Sequence, residues 1–175
     1  LQLFDPCSVG LGGTPPRGNA ANCAALGVPG GFQQANSQIS VTTGGNAELA
    51  LDGAYRTKPD VAIVVFGEDP YAEFQGDVAD LDYHPEEPLQ VLKRLRAAGI
   101  PTVALFLSGR PLYVNPEINA ANAFVAAWLP GSEGGGVADI LVADGAGAPR
   151  ADFRGTLPFS WPRSPDQPPQ NAGGP

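Results

Sequence analysis

Two nearly unbroken apolar stretches constrain this chain more than anything else in it: Val61-Ala62-Ile63-Val64-Val65-Phe66 and Thr102-Val103-Ala104-Leu105-Phe106-Leu107. Neither alternates apolar with polar residues, so neither suits a strand with one face in water. Short runs rich in β-branched residues suit strands that are covered on both faces. Between them the sequence predicts a helix. Glu86 and Glu87 sit in its first turn, and Pro88 stands near its start, where a missing N–H costs nothing. Leu89, Leu92 and Leu95 supply an apolar edge, Lys93, Arg94 and Arg96 load the C-terminal end, and Gly99 stops it. After a short helix, Phe124–Leu129 forms a third strand, weakened by its alanines. A further helix starts near Ser132, carries Val137, Ile140 and Leu141 inward and ends before Gly145, and Thr156–Trp161 adds an edge strand. Strands alternating with helices in this way predict an α/β class: a mostly parallel sheet with helices on both faces.

The ordered pattern does not extend over the whole chain. Gly (23) and Pro (19) together reach about twice their usual share of 175 residues, and they crowd towards the ends. Residues 1–40 read as an irregular or poorly ordered arm, 41–162 as the domain, and 163–175 as a Pro/Gly-rich tail. The N-terminal LQLFDPCSVG has neither an initiator Met nor the basic start and apolar stretch of a signal peptide, and reads as a fragment or processed chain. Cys7 and Cys23 fit no zinc pattern, and the single His84 cannot complete one; a disulfide and two free thiols both remain open. A net charge of −8 argues against nucleic acid, which needs a basic face. No run of about eighteen apolar residues exists to span a membrane.

In open parallel sheets, ligands sit beyond the C-terminal ends of the strands. After Phe66 the chain takes nineteen residues, GEDPYAEFQGDVADLDYHP, to reach the next helix, where about 2–6 is usual. From Asp60 to Glu87 there are nine acids, half of all those in the chain, and no Lys or Arg. Crowded carboxylates repel, and burial beside rings disfavours ionisation further. Either effect raises a pKa and can keep a carboxyl protonated as a general acid. Glu68 and Glu73 are best placed for this role. Tyr71, Phe74 and Tyr83 nearby suit a sugar, whose C–H faces stack on rings while its hydroxyls bond to acids. A solvated acidic loop fits the same composition. So does a calcium site on Asp77, Asp80 and Asp82, although the Gly and distal Glu of a helix-loop-helix calcium loop are missing.

The other strand ends carry weaker signals. Ser108 lacks a G-x-S-x-G elbow, because Phe106 stands where the first Gly belongs, and is not a hydrolase nucleophile. Arg110 sits on the ligand-facing edge, where it can pair with a loop carboxylate or touch substrate. The Gly131–Gly136 turn offers amides to an anion or lets a helix pack closely on the sheet, but the dinucleotide fingerprint fails there. His84 reads as an ordinary loop residue.

Taken in order, GEDPYAEFQGD (67–77), FLSGRPLYVNP (106–116), AAWLPGSEGGGVADIL (126–141) and DFRGTLPFSWP (152–162) resemble the C-terminal α/β sandwich domain of family 3 glycoside hydrolases, nearest the bacterial exo-β-glucanase and β-glucosidase branch. The resemblance covers about residues 41–168 and implies a flavodoxin-like sandwich, incomplete on its N-terminal side. It implies a retaining, exo-acting reaction on β-glucans or β-glucosides that releases glucose with no cofactor or metal. The nucleophile belongs to a separate N-terminal (β/α)8 barrel, the expected partner domain. The family's acid/base glutamate precedes a stretch ending in Gly-Asp, here AEFQGD, which assigns that role to Glu73. Glu68, Tyr71 and Arg110 become loop-support or substrate-binding residues. Neither the barrel nor a GGWT-type segment is seen, so the chain alone is expected to have little or no hydrolytic activity. By analogy its location is periplasmic or secreted. The competing expectation is a non-catalytic flavodoxin-like module that binds a ligand at Gly131–Gly136.

Overall fold

The computed structural model describes residues 59–69, 71–143, 146–148 and 150–167. Within them the chain runs β1 (Ala62–Gly67), α1 (Glu87–Ala97), β2 (Thr102–Leu107), α2 (Asn115–Ala120), β3 (Ala123–Ala126) and α3 (Gly134–Leu141). The three strands form one parallel sheet in the order β1-β2-β3. β1 and β2 pair over their full lengths, from Ala62 opposite Thr102 to Gly67 opposite Leu107, so the two expected apolar runs are neighbours in register. The central β2 is buried at five of its six positions, which explains why its sequence does not alternate.

Each face of the sheet has its own apolar layer. On one, Val64, Phe66, Ala104 and Phe106 meet Val91, Leu92 and Leu95 of α1, with Val114 and Ala120 at the two ends of α2. On the other, Val65, Leu105 and Leu107 meet Ala138, with Val137 and Leu141 of α3 packed around them. Helices therefore cover both faces. The buried stripe of α1 is Pro88, Val91, Leu92 and Leu95, so Val91 takes a place that the leucine edge alone does not show, while Leu89 is half-buried. Gly99 ends this helix at φ 67°, where its N–H bonds to the Arg96 carbonyl and the Ile100 N–H to that of Leu95. That conformation costs a side-chain-bearing residue about 1–2 kcal/mol and glycine nothing.

Three expectations change. β3 stops at Ala126 instead of reaching Leu129, because the backbone turns left-handed at Trp128, φ 54°. α3 starts at Gly134, close to the expected Ser132, but its fully buried side chain is Ala138, and Val137, Ile140 and Leu141 are only half-buried around it. Thr156–Trp161 is no strand. This irregular segment lays Trp161 edge-on against Phe124 (ring centroids 5.7 Å apart) and Phe159 against Trp128 (6.1 Å). Packing of aromatic rings, not ladder hydrogen bonding, holds it beside the last strand. Residues 163–167 continue in irregular structure tied to the domain, since Pro165 accepts the Leu81 N–H at 2.7 Å and Arg163 accepts Asn115 Nδ2 at 3.4 Å. Cys7 and Cys23 lie outside the described residues.

Candidate active site

The long loop leaves β1 at its C-terminal end, and two anchors fix its course. At its return, Tyr83 turns inward between Phe66 (5.7 Å) and Phe106 (5.4 Å, edge-on), and its hydroxyl donates to the Gly67 carbonyl at 3.1 Å. Tyr83 is therefore a core residue and not a platform for a sugar. Leu81 and Tyr83 also bracket Tyr113 in a short parallel bridge, with Tyr113 N–H donating to the Leu81 carbonyl at 2.7 Å.

The second anchor is polar. Glu68 follows β1 directly, and Ser108 follows β2 directly, so strand pairing sets them side by side. Ser108 Oγ lies 2.5 Å from Glu68 Oε2 and 2.6 Å from the Arg110 carbonyl, and it accepts the Arg110 N–H at 3.1 Å. A hydroxyl has one proton to give, and the charged carboxylate is the stronger acceptor. Arg110 donates from Nε (2.8 Å) and Nη2 (2.6 Å) to Glu68 Oε1, and from Nη1 to the Gly76 carbonyl at 2.6 Å. Its guanidinium also lies 4.9 Å from the centre of the Tyr71 ring. One side chain thus touches the start, the middle and the end of residues 68–76. The Glu68 and Arg110 side chains are only 11% and 25% exposed, so this charge pair is largely removed from water. The crowding of carboxylates expected from the sequence does not apply to Glu68, whose near charge is a cation.

Between these attachment points, Ala72, Glu73, Phe74 and Gln75 form a tight turn closed by the Gln75 N–H on the Ala72 carbonyl at 3.1 Å. Phe74 occupies its third position at φ 66°, the left-handed conformation that a type II turn demands there. Glu73 stands at the exposed tip, and Phe74 beside it is 79% exposed. Among the described residues nothing pairs with the Glu73 carboxylate, and no protein wall withdraws it from water. Gly76 is required by contact: a Cβ there would overlap the Tyr71 ring at 2.1 Å.

The remaining candidates separate from this centre. Asp80 caps the local backbone by accepting the Asp82 N–H at 3.0 Å, and both aspartates flank the exposed His84 at 3.6 and 3.7 Å. Among the described residues no three His, Cys, Asp or Glu side chains gather where an ion could sit, so Asp77, Asp80 and Asp82 are not brought together. At Gly131–Gly136, Glu133 precedes the first turn of α3, and the Gly136 N–H is already bonded to the Glu133 carbonyl at 3.0 Å. A carboxylate at a helix N-terminus opposes a second anion. Close packing does not explain Gly135 and Gly136 either, since a Cβ at each would meet nothing within 4 Å.

Sequence reasoning missed Ser108 as a ligand of Glu68 and Gly76 as an acceptor for Arg110. For Ser108 a signal existed: a small hydroxyl residue directly after a buried strand, with Arg two residues on. Gly76 carried none, because its role is made by its backbone.

These features define an open parallel α/β domain that displays one glutamate on a braced loop beyond the first strand. The model of the glycosyl hydrolase family 3 C-terminal domain matches residues 17–174, so the chain belongs to that family. The match begins inside the segment read as an arm. Among solved structures, the exo-1,3/1,4-β-glucanase of a Pseudoalteromonas species is 47% identical with a TM-score of 0.72, covering 81% of this chain and 18% of its own. Among curated proteins, a lysosomal β-glucosidase of Dictyostelium discoideum is 38% identical over 105 residues, 59% of this chain and 12% of that protein. A periplasmic β-glucosidase of Salmonella typhimurium is 32% identical over 106 residues, 60% of this chain and 13% of that one. The chain spans about an eighth of the length of these curated relatives.

Proposed function

We propose that this domain supplies the general acid/base of a retaining, exo-acting β-glucosidase or β-glucan glucohydrolase, with Glu73 as the residue that carries it. The nucleophilic carboxylate belongs, in this reading, to a (β/α)8 barrel domain that faces the sheet's C-terminal edge. The single observation behind the assignment is that Glu73 stands at the tip of an otherwise braced loop, its carboxylate unpaired among the described residues, while Glu68 is committed to Arg110.

A retaining glycosidase first needs a proton delivered to the leaving oxygen while the nucleophile attacks, then needs the same group to deprotonate water. Glu68 is unsuited to either step, because Ser108 and Arg110 occupy both its oxygens. Glu73 is free for both. The tip that bears Glu73 is open to water here, so the water-excluded surroundings that the reaction needs have to come from the sugar and the barrel closing over it. Tyr71 and Phe74, exposed near Glu73, would supply part of that apolar cover. Retention further requires Glu73 to lie about 5–5.5 Å from the nucleophile. No cofactor or metal takes part in this chemistry. The resemblance to a periplasmic relative and the location of polymeric glucans support placement in the periplasm or outside the cell.

The test uses the protein carrying both domains and a series of β-glucosides with different leaving groups. Glu73→Ala is expected to lower kcat/KM for poor leaving groups by about 10²–10⁴-fold, the usual worth of general acid catalysis. An activated dinitrophenyl glucoside should keep most of its kcat/KM, and azide should restore turnover by replacing the water that Glu73 no longer activates. If leaving-group acidity makes no difference to the loss, Glu73 is not the acid.

A further inference from the structure

We propose that Arg110 is the positioning residue of the Glu73 carboxyl, acting through three simultaneous attachments to the loop that bears it. This rests on the acid/base reading of Glu73 and adds to it the device that holds the proton donor in place. A glutamate on a nineteen-residue connection would sample many positions if the connection were tied only at its ends, and misplacement of a reacting group by about 1 Å can cost 10²-fold in rate. The loop here is tied within itself. Nε and Nη2 of Arg110 hold Glu68 at the loop's start, Nη1 holds the carbonyl of Gly76 beyond the turn, and the guanidinium face lies against Tyr71 between them.

These contacts reduce the span that remains to be ordered to the turn Ala72–Gln75, which has its own closing hydrogen bond and its left-handed residue at Phe74. Ser108 completes the brace. It takes the second oxygen of Glu68, so the carboxylate cannot swing away from the guanidinium. The brace grows out of the C-terminal end of β2, a buried strand, which makes it rigid with respect to the sheet. A planar fork is needed for this, because a lysine ammonium cannot lie flat on a ring while reaching a carboxylate and a carbonyl on opposite sides. The absence of a Cβ at Gly76 lets the Tyr71 ring sit where the guanidinium covers it.

The experiment compares Arg110→Ala, Arg110→Lys, Ser108→Ala and Glu73→Ala in the protein carrying both domains, using a β-linked disaccharide and a dinitrophenyl β-glucoside. Arg110→Ala is expected to lower kcat/KM for the disaccharide by about 10²-fold and that for the dinitrophenyl glucoside by less than about threefold, because only the first needs the proton. Added guanidinium should restore part of the loss. Placed on top of Glu73→Ala, Arg110→Ala should cost little more, since both act on one event. Arg110→Lys should fall between wild type and Arg110→Ala. If Arg110→Ala does not fold, Arg110→Lys and Ser108→Ala carry the same comparison.

An equal loss on both substrates, or full additivity with Glu73→Ala, would make Arg110 a structural residue only and overturn the proposal while leaving Glu73 as the acid. A Glu73→Ala variant whose loss is independent of the leaving group would instead remove the acid/base reading itself, and the proposal with it.

Discussion

Glu68 and Glu73 are five positions apart in one acidic loop, yet they end in opposite surroundings. The first is nearly buried against a guanidinium, and the second stands in water at a turn tip. What separates them is strand register: Glu68 leaves β1 at the level where Ser108 leaves β2, so partners reach it that Glu73 cannot have. Tyr83 shows the same dependence on surroundings. Burial holds its phenol protonated well above the usual tyrosine range, with the charges of Glu117, Asp69, Glu68 and Glu87 adding in the same direction. In the unfolded chain that proton leaves near pH 10. The folded state binds it more tightly, so Tyr83 contributes its stability fully below about pH 10 and loses it as pH climbs towards the folded value. Tyr83→Phe should cost about 1 kcal/mol at pH 7 through the unpaired Gly67 carbonyl, and the gap from wild type should narrow above pH 10. Denaturant unfolding of the chain at pH 7 and at pH 10.5 measures both. Glu117, 4% exposed, also has its pKa raised by burial, opposed by its own backbone N–H. Its ionised form therefore weakens the fold above the usual glutamate range. Glu117→Gln should raise the thermal midpoint at pH 7 and change it little near pH 4.

At the scale of elements, α1 is the clearest case of a segment whose sequence and packing agree. Its charged side faces water, its Pro88 sits where a proline is tolerated, and its leucines meet the sheet. Leu92 is fully buried beneath it, so Leu92→Ala should destabilise the chain by about 2–5 kcal/mol, seen as an earlier midpoint in urea with little change in slope. β3 is the opposite case. Its alanine content and half-buried positions make a weak strand that ends at Ala126, and the aromatic residues beyond it pack with one another instead of extending the ladder. Trp161 belongs to that aromatic layer, and its indole N–H is buried with no acceptor among the described residues. The connection after β1 behaves as an element of its own. Although it has no regular structure, Tyr83 ties it to β1 at its return and Arg110 ties it together from Glu68 to Gly76.

For the whole molecule, the decisive fact is how small a part of its relatives the chain represents. Double displacement needs a nucleophile as well as an acid, and the proposed nucleophile lies in another domain. The 175-residue chain should therefore show no hydrolysis of an aryl β-glucoside above the buffer rate. Enzyme-like turnover that Glu73→Ala abolished would contradict this and require both carboxylates to be here. No helix among the described residues is long and apolar enough to cross a membrane. Tyr71 and Phe74 on the connection after β1, and Trp128 and Leu129 on the one after β3, are large apolar residues left exposed beyond the C-terminal ends of these strands.

The amino-acid sequence alone determined the α/β class, the two buried strands, the helix between them and the loop that matters, because all of these are written in local periodicity, in chain length between elements and in charge. Its ordered motifs also pointed to Glu73. Tertiary structure alone decided which acid is braced and which is displayed, that Tyr83 belongs to the core, that Ser108 serves a carboxylate, and that Trp161 packs without being a strand. Each of those outcomes depends on what another part of the chain brings alongside. Such neighbours are chosen by strand register and ring packing, which leave at most a faint mark, such as the small hydroxyl of Ser108 directly after β2, at the residue they affect.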